Sequence, residues 1–348
     1  MRAVKASGKT AVVLFNLGGP DSPSSVRPFL FNLFNDPAII TLPNPLRYML
    51  AKLISSGRDK KAQAIYAHLG GGSPILPLTE KQASALQKKL GAGFEVFIGM
   101  RYWHPFVKEA AEAVKAYQPD RVVLLPLYPQ FSTTTTGSSF DAWDKAAAEL
   151  ALAVPTTRLC CYYADKAFVH AHAETIRTVY QKARRYGNPR ILFSAHGLPK
   201  KVIEAGDPYQ WQVEQTVQSV VDALSIKGLD HRVTYQSKVG RLEWIGPATD
   251  TEIIRAAEEK RPIVVVPIAF VSEHSETLVE LDIEYRELAE ANGAAHYFRV
   301  PALGADKAFI GALAHLVQSV KDCRATCANA CGGKPCPAAA SACAMRAR

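Results

Sequence analysis

Residues 261–290 read RPIVVVPIAFVSEHSETLVELDIEYRELAE, and they hold the densest group of chemically capable side chains in the chain. Glu273 and His274 sit in a short polar turn, Ser272-Glu273-His274-Ser275, just after an apolar run from Ile263 to Phe270. Glu276, Glu280, Glu284 and Glu287 follow. Residues three or four apart share one face of a helix, so this spacing predicts an acidic stripe. Arg286 is the only full positive charge between Glu273 and Glu290, although the chain as a whole carries net charge +9. Carboxylates and an imidazole at the carboxyl end of a buried strand suit the holding of a cation, and open α/β sheets bind ligands there. Glu273, His274 and Glu276, packed at the strand end, read as the active part of the row. Glu284 and Glu287, further along, read as an ordinary solvated face.

The ends of the other apolar runs offer Asn16, Arg101, Tyr102, Ser132, His196, Gln236 and Lys238. Apart from Arg101 and Lys238, these groups suit proton transfer and metal handling more than nucleophilic attack. His196 lies in Ser-Ala-His-Gly, where a neutral imidazole can take a proton near pH 7 or ligate a metal. A satisfied structural histidine would fit the same position. His196, His274 and the glutamates could converge as a metal site drawn from separate stretches, with open positions for ligand exchange. The chain has no GxSxG elbow, Walker A loop or HExxH motif, which sets aside the hydrolase, P-loop and zincin classes.

Positioning these groups requires strands and helices in alternation. Apolar strands are expected at 11–16, 94–102, 121–128, 158–163, 190–194, 232–236, 262–270 and 295–300, with amphipathic helices between them. That order predicts an α/β fold with parallel sheets covered on both faces. Residues 121–132 (RVVLLPLYPQFS) and 262–272 (PIVVVPIAFVS) echo one another: buried strand, proline, then a hydroxyl-rich turn. The echo fits two similar domains with a ligand cleft between their strand ends. Residues 26–54 are unusually apolar, are broken by Pro37, Pro43 and Pro45, and are rimmed by Arg47, Lys52, Arg58, Lys60 and Lys61. Such a segment could lie on an anionic bilayer surface, close an apolar pocket or form plain core helices.

A chain of 348 residues suits two domains. No apolar run reaches the roughly 18–20 residues of a membrane span, and the apolar stretch at 11–15 is too short for a signal peptide. The expectation is a cytoplasmic protein. A pI of about 9.1 points to an anionic partner, but scattered basic residues make nucleic acid a poor candidate. Cys160 and Cys161 are adjacent, whereas Cys323, Cys327, Cys331, Cys336 and Cys343 crowd into residues 323–348. Clustered cysteines in a cytosolic chain point to a metal site rather than a disulfide scaffold.

Seven separated blocks resemble the ferrochelatase family in order: FNLGGPDSP (15–23), LGGGSPI (69–75), GMRYWHP (99–105), LYPQFSTTTTGSS (127–139), FSAHGLP (193–199), YQSKVGRLEWIGP (235–247) and PIAFVSEHSETLVELDIEY (267–285). The resemblance spans about residues 10–320. It implies two Rossmann-like, chelatase-type domains with parallel sheets flanked by helices and a porphyrin cleft between them. The expected divisions are 8–160 for an N-terminal α/β domain with an apolar lip and 161–302 for a C-terminal α/β domain. Residues 303–322 would be a helix packing back on the first domain, and 323–348 a cysteine-rich tail.

The same resemblance implies insertion of ferrous iron into protoporphyrin IX to make haem with release of two protons, by an enzyme of the lyase class. His196 and Glu276 are the implied catalytic pair, and His196, Glu276, Glu273, His274 and Glu280 the residues that handle the incoming iron. Leu17, Ser73, Arg101, Tyr102, Ser132, Gln236, Lys238 and Trp244 fall in cleft-lining blocks. A flat porphyrin needs apolar walls, and its propionates need donors at the rim, for which Arg101, Ser73 and Arg58 are candidates. Bending the ring by tight packing would expose its nitrogen lone pairs. Which of His196 and Glu276 takes protons is left open, as are coproporphyrin as substrate and a non-catalytic porphyrin or haem carrier.

Some relatives carry a 2Fe–2S cluster near the C-terminus, the animal pattern being C-x2-C-x4-C plus one body cysteine. Here Cys327-x3-Cys331-x4-Cys336 is close to that pattern, while the body position falls at about Thr133, which has no thiol. Cys323, Cys327, Cys331 and Cys336 are the expected cluster ligands. Cys343, Cys160 and Cys161 are alternatives to Cys323, and zinc is the alternative metal. The implied partners are protoporphyrin IX and ferrous iron, with peripheral contact at the inner face of a membrane.

Overall fold

A computed structural model describes residues 8–240, 242–321, 323, 328–329 and 336–346. The first half runs β1 (Thr10–Asn16), α1 (Val26–Phe34), α2 (Leu46–Ala67), α3 (Ile75–Leu90), β2 (Phe94–Met100), α4 (Val107–Tyr117), β3 (Arg121–Pro126), a π-helical segment (Thr133–Gly137), α5 (Ser138–Glu149) and β4 (Thr156–Cys161). The second half runs α6 (Lys166–Ala183), β5 (Arg190–His196), α7 (Lys200–Glu204), α8 (Tyr209–Leu224), β6 (Asp230–Gln236), α9 (Thr249–Glu258), β7 (Ile263–Pro267), a second π-helical segment (Glu276–Glu284), α10 (Tyr285–Ala291), β8 (Tyr297–Arg299) and α11 (Lys307–Val320). A two-residue strand, β9 (Ala328–Asn329), lies in the tail.

All strand pairs are parallel, in two sheets ordered β2-β1-β3-β4-β9 and β6-β5-β7-β8. Helices cover both faces of each sheet, so the expected α/β architecture of two Rossmann-like sheets is borne out. The strands are apolar throughout because alternate residues point to opposite, equally buried faces. In β1, Val12 and Leu14 enter one core, and Ala11, Val13 and Phe15 another. In β7, Val264 and Val266 join the same core as Val12, whereas Ile263 and Val265 pack under α9 and α10. One continuous core thus joins the two sheets, with α6, α8 and α11 between them. α11 packs on both α3 and α6.

Two local expectations are corrected. The prolines do not cut residues 26–54 into short pieces only, because α2 runs unbroken for 22 residues. Pro45 stands at its N-cap, where a missing N–H breaks no intrahelical bond. The acidic segment Glu276–Glu284 is not an α-helix. Its wider turn changes which carboxylates stand beside one another.

Candidate functional site

The site forms where β5, β6 and β7 end. β5 carries Ile191, Phe193 and Ala195 into the core, and His196 is the first residue to emerge. Its Nδ1–H donates to the Gly197 carbonyl at 2.5 Å. That bond fixes a proton on Nδ1 and turns Nε2 the other way, towards Glu276. Nε2 lies 3.8 Å from Glu276 Oε1. The other carboxylate oxygen, Oε2, lies 3.7 Å from His274 Nε2. Glu276 therefore stands between two imidazoles contributed by different strands. Burial pushes its pKa up, but the charges that His196 and His274 carry when protonated, with a hydrogen bond from His274, outweigh this and draw it down to about 2.

Glu280 is four residues further and is held differently. Its oxygens accept from Ser237 N at 2.9 Å, Ser237 Oγ at 2.5 Å, Gln236 Nε2 at 3.0 Å and Tyr285 Oη at 3.1 Å. Burial and then the charge of Glu276 raise its pKa above the usual carboxylate range, against these hydrogen bonds. Two neighbouring acids are thus pushed apart, Glu276 downward and Glu280 upward.

Glu273 does not join this group. Its Oε1 accepts from Arg299 Nη1 at 2.8 Å and from Ala302 N at 2.9 Å, so its charge is matched within the fold. Among the described residues, no set of three or more His, Cys, Asp or Glu side chains is closed down to metal-coordination geometry. His196, Glu276 and His274 are neighbours at 3.7–3.8 Å.

The remaining cleft candidates divide by what they touch. The Trp244 ring centroid lies 6.3 Å from that of His196, and its Nε1 donates to Val239 O. Leu17 is half-buried against Tyr102 and the α1 core. Ser73 is tucked against Gly19, where a Cβ would come within 2.5 Å of the Ser73 Cβ; only glycine permits that approach. Lys238 is exposed, and so is Arg58, whose guanidinium lies 5.5 Å from the centre of the Phe34 ring. Arg101 pairs with Asp36 at 2.8 Å and gives Nε–H to Ser138 Oγ at 2.6 Å.

Tyr102, Ser132 and Gln236 are buried, with their polar atoms engaged inside the protein. Tyr102 Oη donates to Asp36 at 2.7 Å, Ser132 Oγ to Asp207 at 2.9 Å, and Gln236 Nε2 to Glu280.

Four contributors escaped the sequence reading. Tyr66, from α2, brings its hydroxyl beside Ser275 and Glu276, and burial pushes its pKa up to about 12. Asp36 is a buried carboxylate under Arg101 and Tyr102. Asp207 gathers Ser132, the Thr133 N–H and the Thr133 hydroxyl on one oxygen. Gln82, fully buried in α3, donates to Val271 O at 3.0 Å and Gly304 O at 2.9 Å and accepts from Ser272 Oγ at 2.9 Å. Each lies far in sequence from what it supports, so no local pattern marks it.

A second cluster lies apart. Cys160, Cys161, Cys336 and Cys343 share one buried group with Phe131 and Tyr163. The tail strand β9 pairs with β4 beside Cys161. Hydrogen bonds from Cys160 and Cys336 pull the Cys343 thiol down, and the hydrogen bond to Cys343 together with burial pushes Cys336 up. Gln212 Nε2 donates to Cys336 Sγ at 3.2 Å. Of the four expected tail ligands, Cys336 is in this group and Cys323 is exposed outside it, while Cys327 and Cys331 lie outside the described residues. Cys343 and the Cys160–Cys161 pair, the alternatives to Cys323, are the cysteines found beside Cys336.

The family model described as ferrochelatase matches residues 9–321. A ferrochelatase from Caulobacter vibrioides is 56% identical over 344 residues, covering 97% of this chain and 98% of its own. One from Wolbachia sp. subsp. Drosophila simulans is 52% identical, covering 88% and 98%. Among solved structures, SirB from Bacillus subtilis with Fe3+ superposes with TM-score 0.54 at 13% identity, covering 90% of this chain and 96% of its own. That likeness concerns the fold alone.

Proposed function

The chain belongs to the ferrochelatase family, a metal chelatase that makes haem, and on that premise we propose how its cleft inserts ferrous iron into protoporphyrin IX. The observation that carries the reading is the placement of Glu276 between His196 and His274. Ferrous iron entering a porphyrin must displace two pyrrole N–H protons. His196, with its Nδ1–H held by the Gly197 carbonyl, turns Nε2 towards the site and acts as the base in its neutral form. Glu276, kept ionised, is poorly suited to take protons near neutral pH. Its charge, with His274, serves to draw water-bound iron towards the macrocycle. Glu280, with its raised pKa, receives protons as they leave.

Leu17 and Trp244 supply apolar wall, and Ser73, Arg101 and Lys238 face the propionates. Tyr102, Ser132 and Gln236 support the cleft from behind. Glu273 acts through Arg299 rather than on the metal.

Incubating the protein anaerobically with ferrous iron and protoporphyrin or coproporphyrin tests this. Protohaem should form well above the uncatalysed rate, with protoporphyrin preferred. Binding without insertion would point to a carrier, and a preference for coproporphyrin would correct the substrate.

The lip suits an anionic membrane surface. Leu46, Met49 and Leu53 are 56–70% exposed at helical spacing on α2, beside Arg47 and Lys52. Among the described residues no helix is long and apolar enough to cross a membrane, so contact would be peripheral. Replacing the three with serine should abolish sedimentation with anionic vesicles while leaving insertion into detergent-dispersed porphyrin within about twofold.

Four thiols gathered in one apolar group, one of them accepting from the Gln212 amide, support a 2Fe–2S cluster there, although no three of them stand within coordination reach of a single ion in this structure. Cys160, Cys161, Cys336 and Cys343 would hold it. Such a cluster supplies one-electron redox chemistry when bound. Purified protein should be brown with about two irons per chain; zinc, or no metal, would reject the cluster.

A further inference from the structure

π-helical turns are rare and occur mostly as short segments at functional sites. The one at Glu276–Glu284 also places Glu276 where its charge disfavours ionisation of Glu280. Something must hold it, and the edge strand β8 does so. Arg299 is 10% exposed and reaches both sides of the segment. Its Nη1 donates to Glu273 Oε1 at 2.8 Å, before His274. Its Nε lies 2.7 Å from Asp282 Oδ2, inside the π-helical segment; the N–H is not aimed at that oxygen, so the contact is an ion pair. Neighbours reinforce the clamp. Tyr297 Oη donates to Leu281 O at 2.5 Å, and Arg286 Nε donates to Asp282 O at 3.1 Å.

We propose that Arg299 is a positioning residue for iron insertion: one guanidinium fixes the turn before His274 and the segment bearing Glu276 and Glu280 in a single frame. The inference rests on the reading of Glu276 as the metal-handling carboxylate. A planar fork can engage two carboxylates at once, whereas a lysine ammonium is a point charge on a flexible stem and can hold only one of them well. Without the fork, Glu273 loses its ion-pair partner and Asp282 keeps only Arg286 Nη2 at 3.8 Å, beside a segment that already bears Glu276 and Glu280. The spacing between His274, Glu276 and His196 then relaxes. Arg299 itself touches neither porphyrin nor iron.

Arg299→Lys and Asp282→Asn test this by anaerobic kinetics with ferrous iron and porphyrin varied separately, alongside porphyrin binding by fluorescence quenching. Arg299→Lys should raise the KM for ferrous iron and lower kcat by about tenfold in combination, with porphyrin Kd within about twofold. Asp282→Asn should move the same parameters by about threefold. Asp282 is partly exposed, so this variant keeps the test available if Arg299→Lys fails to fold. Glu276→Gln is the control: if it inserts iron normally, the reading of Glu276 is wrong and the inference falls with it. If Glu276→Gln is impaired while both other variants keep the wild-type iron KM, only the role of Arg299 is overturned. Parallel loss of porphyrin binding, iron KM and melting temperature would also overturn it, because a merely structural arginine would behave that way.

Discussion

The two halves of the molecule are built to one plan and put to different uses. Each sheet places its own second strand, first strand, third and fourth in that order. Each first strand is seven residues long, ending at Asn16 in one half and at His196 in the other. Each third strand ends in proline, at Pro126 and Pro267, and leads through a loop into a π-helical segment and then an α-helix. The first π-helical segment is made of threonines, and its entry is tied down by Asp207, which accepts three hydrogen bonds from Ser132 and Thr133. The second carries Glu276 and Glu280, and the charge of Glu276 disfavours ionisation of Glu280. Asn16 is buried and bonded to Thr79 at 3.0 Å, whereas the His196 side chain is 37% exposed and turns Nε2 towards Glu276. The same backbone device is satisfied in one copy and left unsatisfied in the other, and the unsatisfied copy is where chemistry can occur.

Disabling the second copy should have the largest effect on turnover. His196→Ala and Glu276→Gln should each lower kcat by about 10²–10⁴-fold while porphyrin still binds. A wild-type rate in either would remove that group from the machinery. Asp207→Asn in the first copy should instead act on stability, costing about 2–3 kcal/mol in denaturant unfolding because a buried charged acceptor is lost. Its kcat per folded molecule should stay close to wild type. A large kcat loss at unchanged stability would erase the division between the copies.

Smaller and more specific is the dependence on pH. Glu276 is drawn below its ordinary value of 4.5 to about 2. Its contribution to stability is therefore full above about pH 4.5 and is lost as pH falls through about 2. Comparing melting of wild type and Glu276→Gln between pH 6 and 2 should show wild type losing more over that window. Glu276→Gln should also lower the pKa of Glu280, because the second cause of its rise is removed; a Glu280 titration unmoved in that variant would mean that burial alone raises it.

Much of this was legible in the chain. The apolar runs marked the strands because both faces of a parallel sheet are buried, and the 121–132 and 262–272 echo marked the duplicated third strands. His196, His274 and Glu276 stood out because strand ends in such sheets face the cleft. The supports did not stand out. Arg299 looks like any arginine in an edge strand, and Asp207, Asp36 and Gln82 take their roles from partners 65 to 222 residues away.

Residue type and period are local properties, so the sequence by itself determined the strands, the helices and which side chains could do acid–base and metal chemistry. Charge balance and proximity are long-range properties. Only the tertiary structure decided that Glu273 is neutralised by Arg299 while Glu276 faces two imidazoles. It alone brought Cys343, with Cys160 and Cys161, to Cys336. It also turned an expected α-helical stripe into a π-helical segment, contacted from β8 by Arg299 and Tyr297.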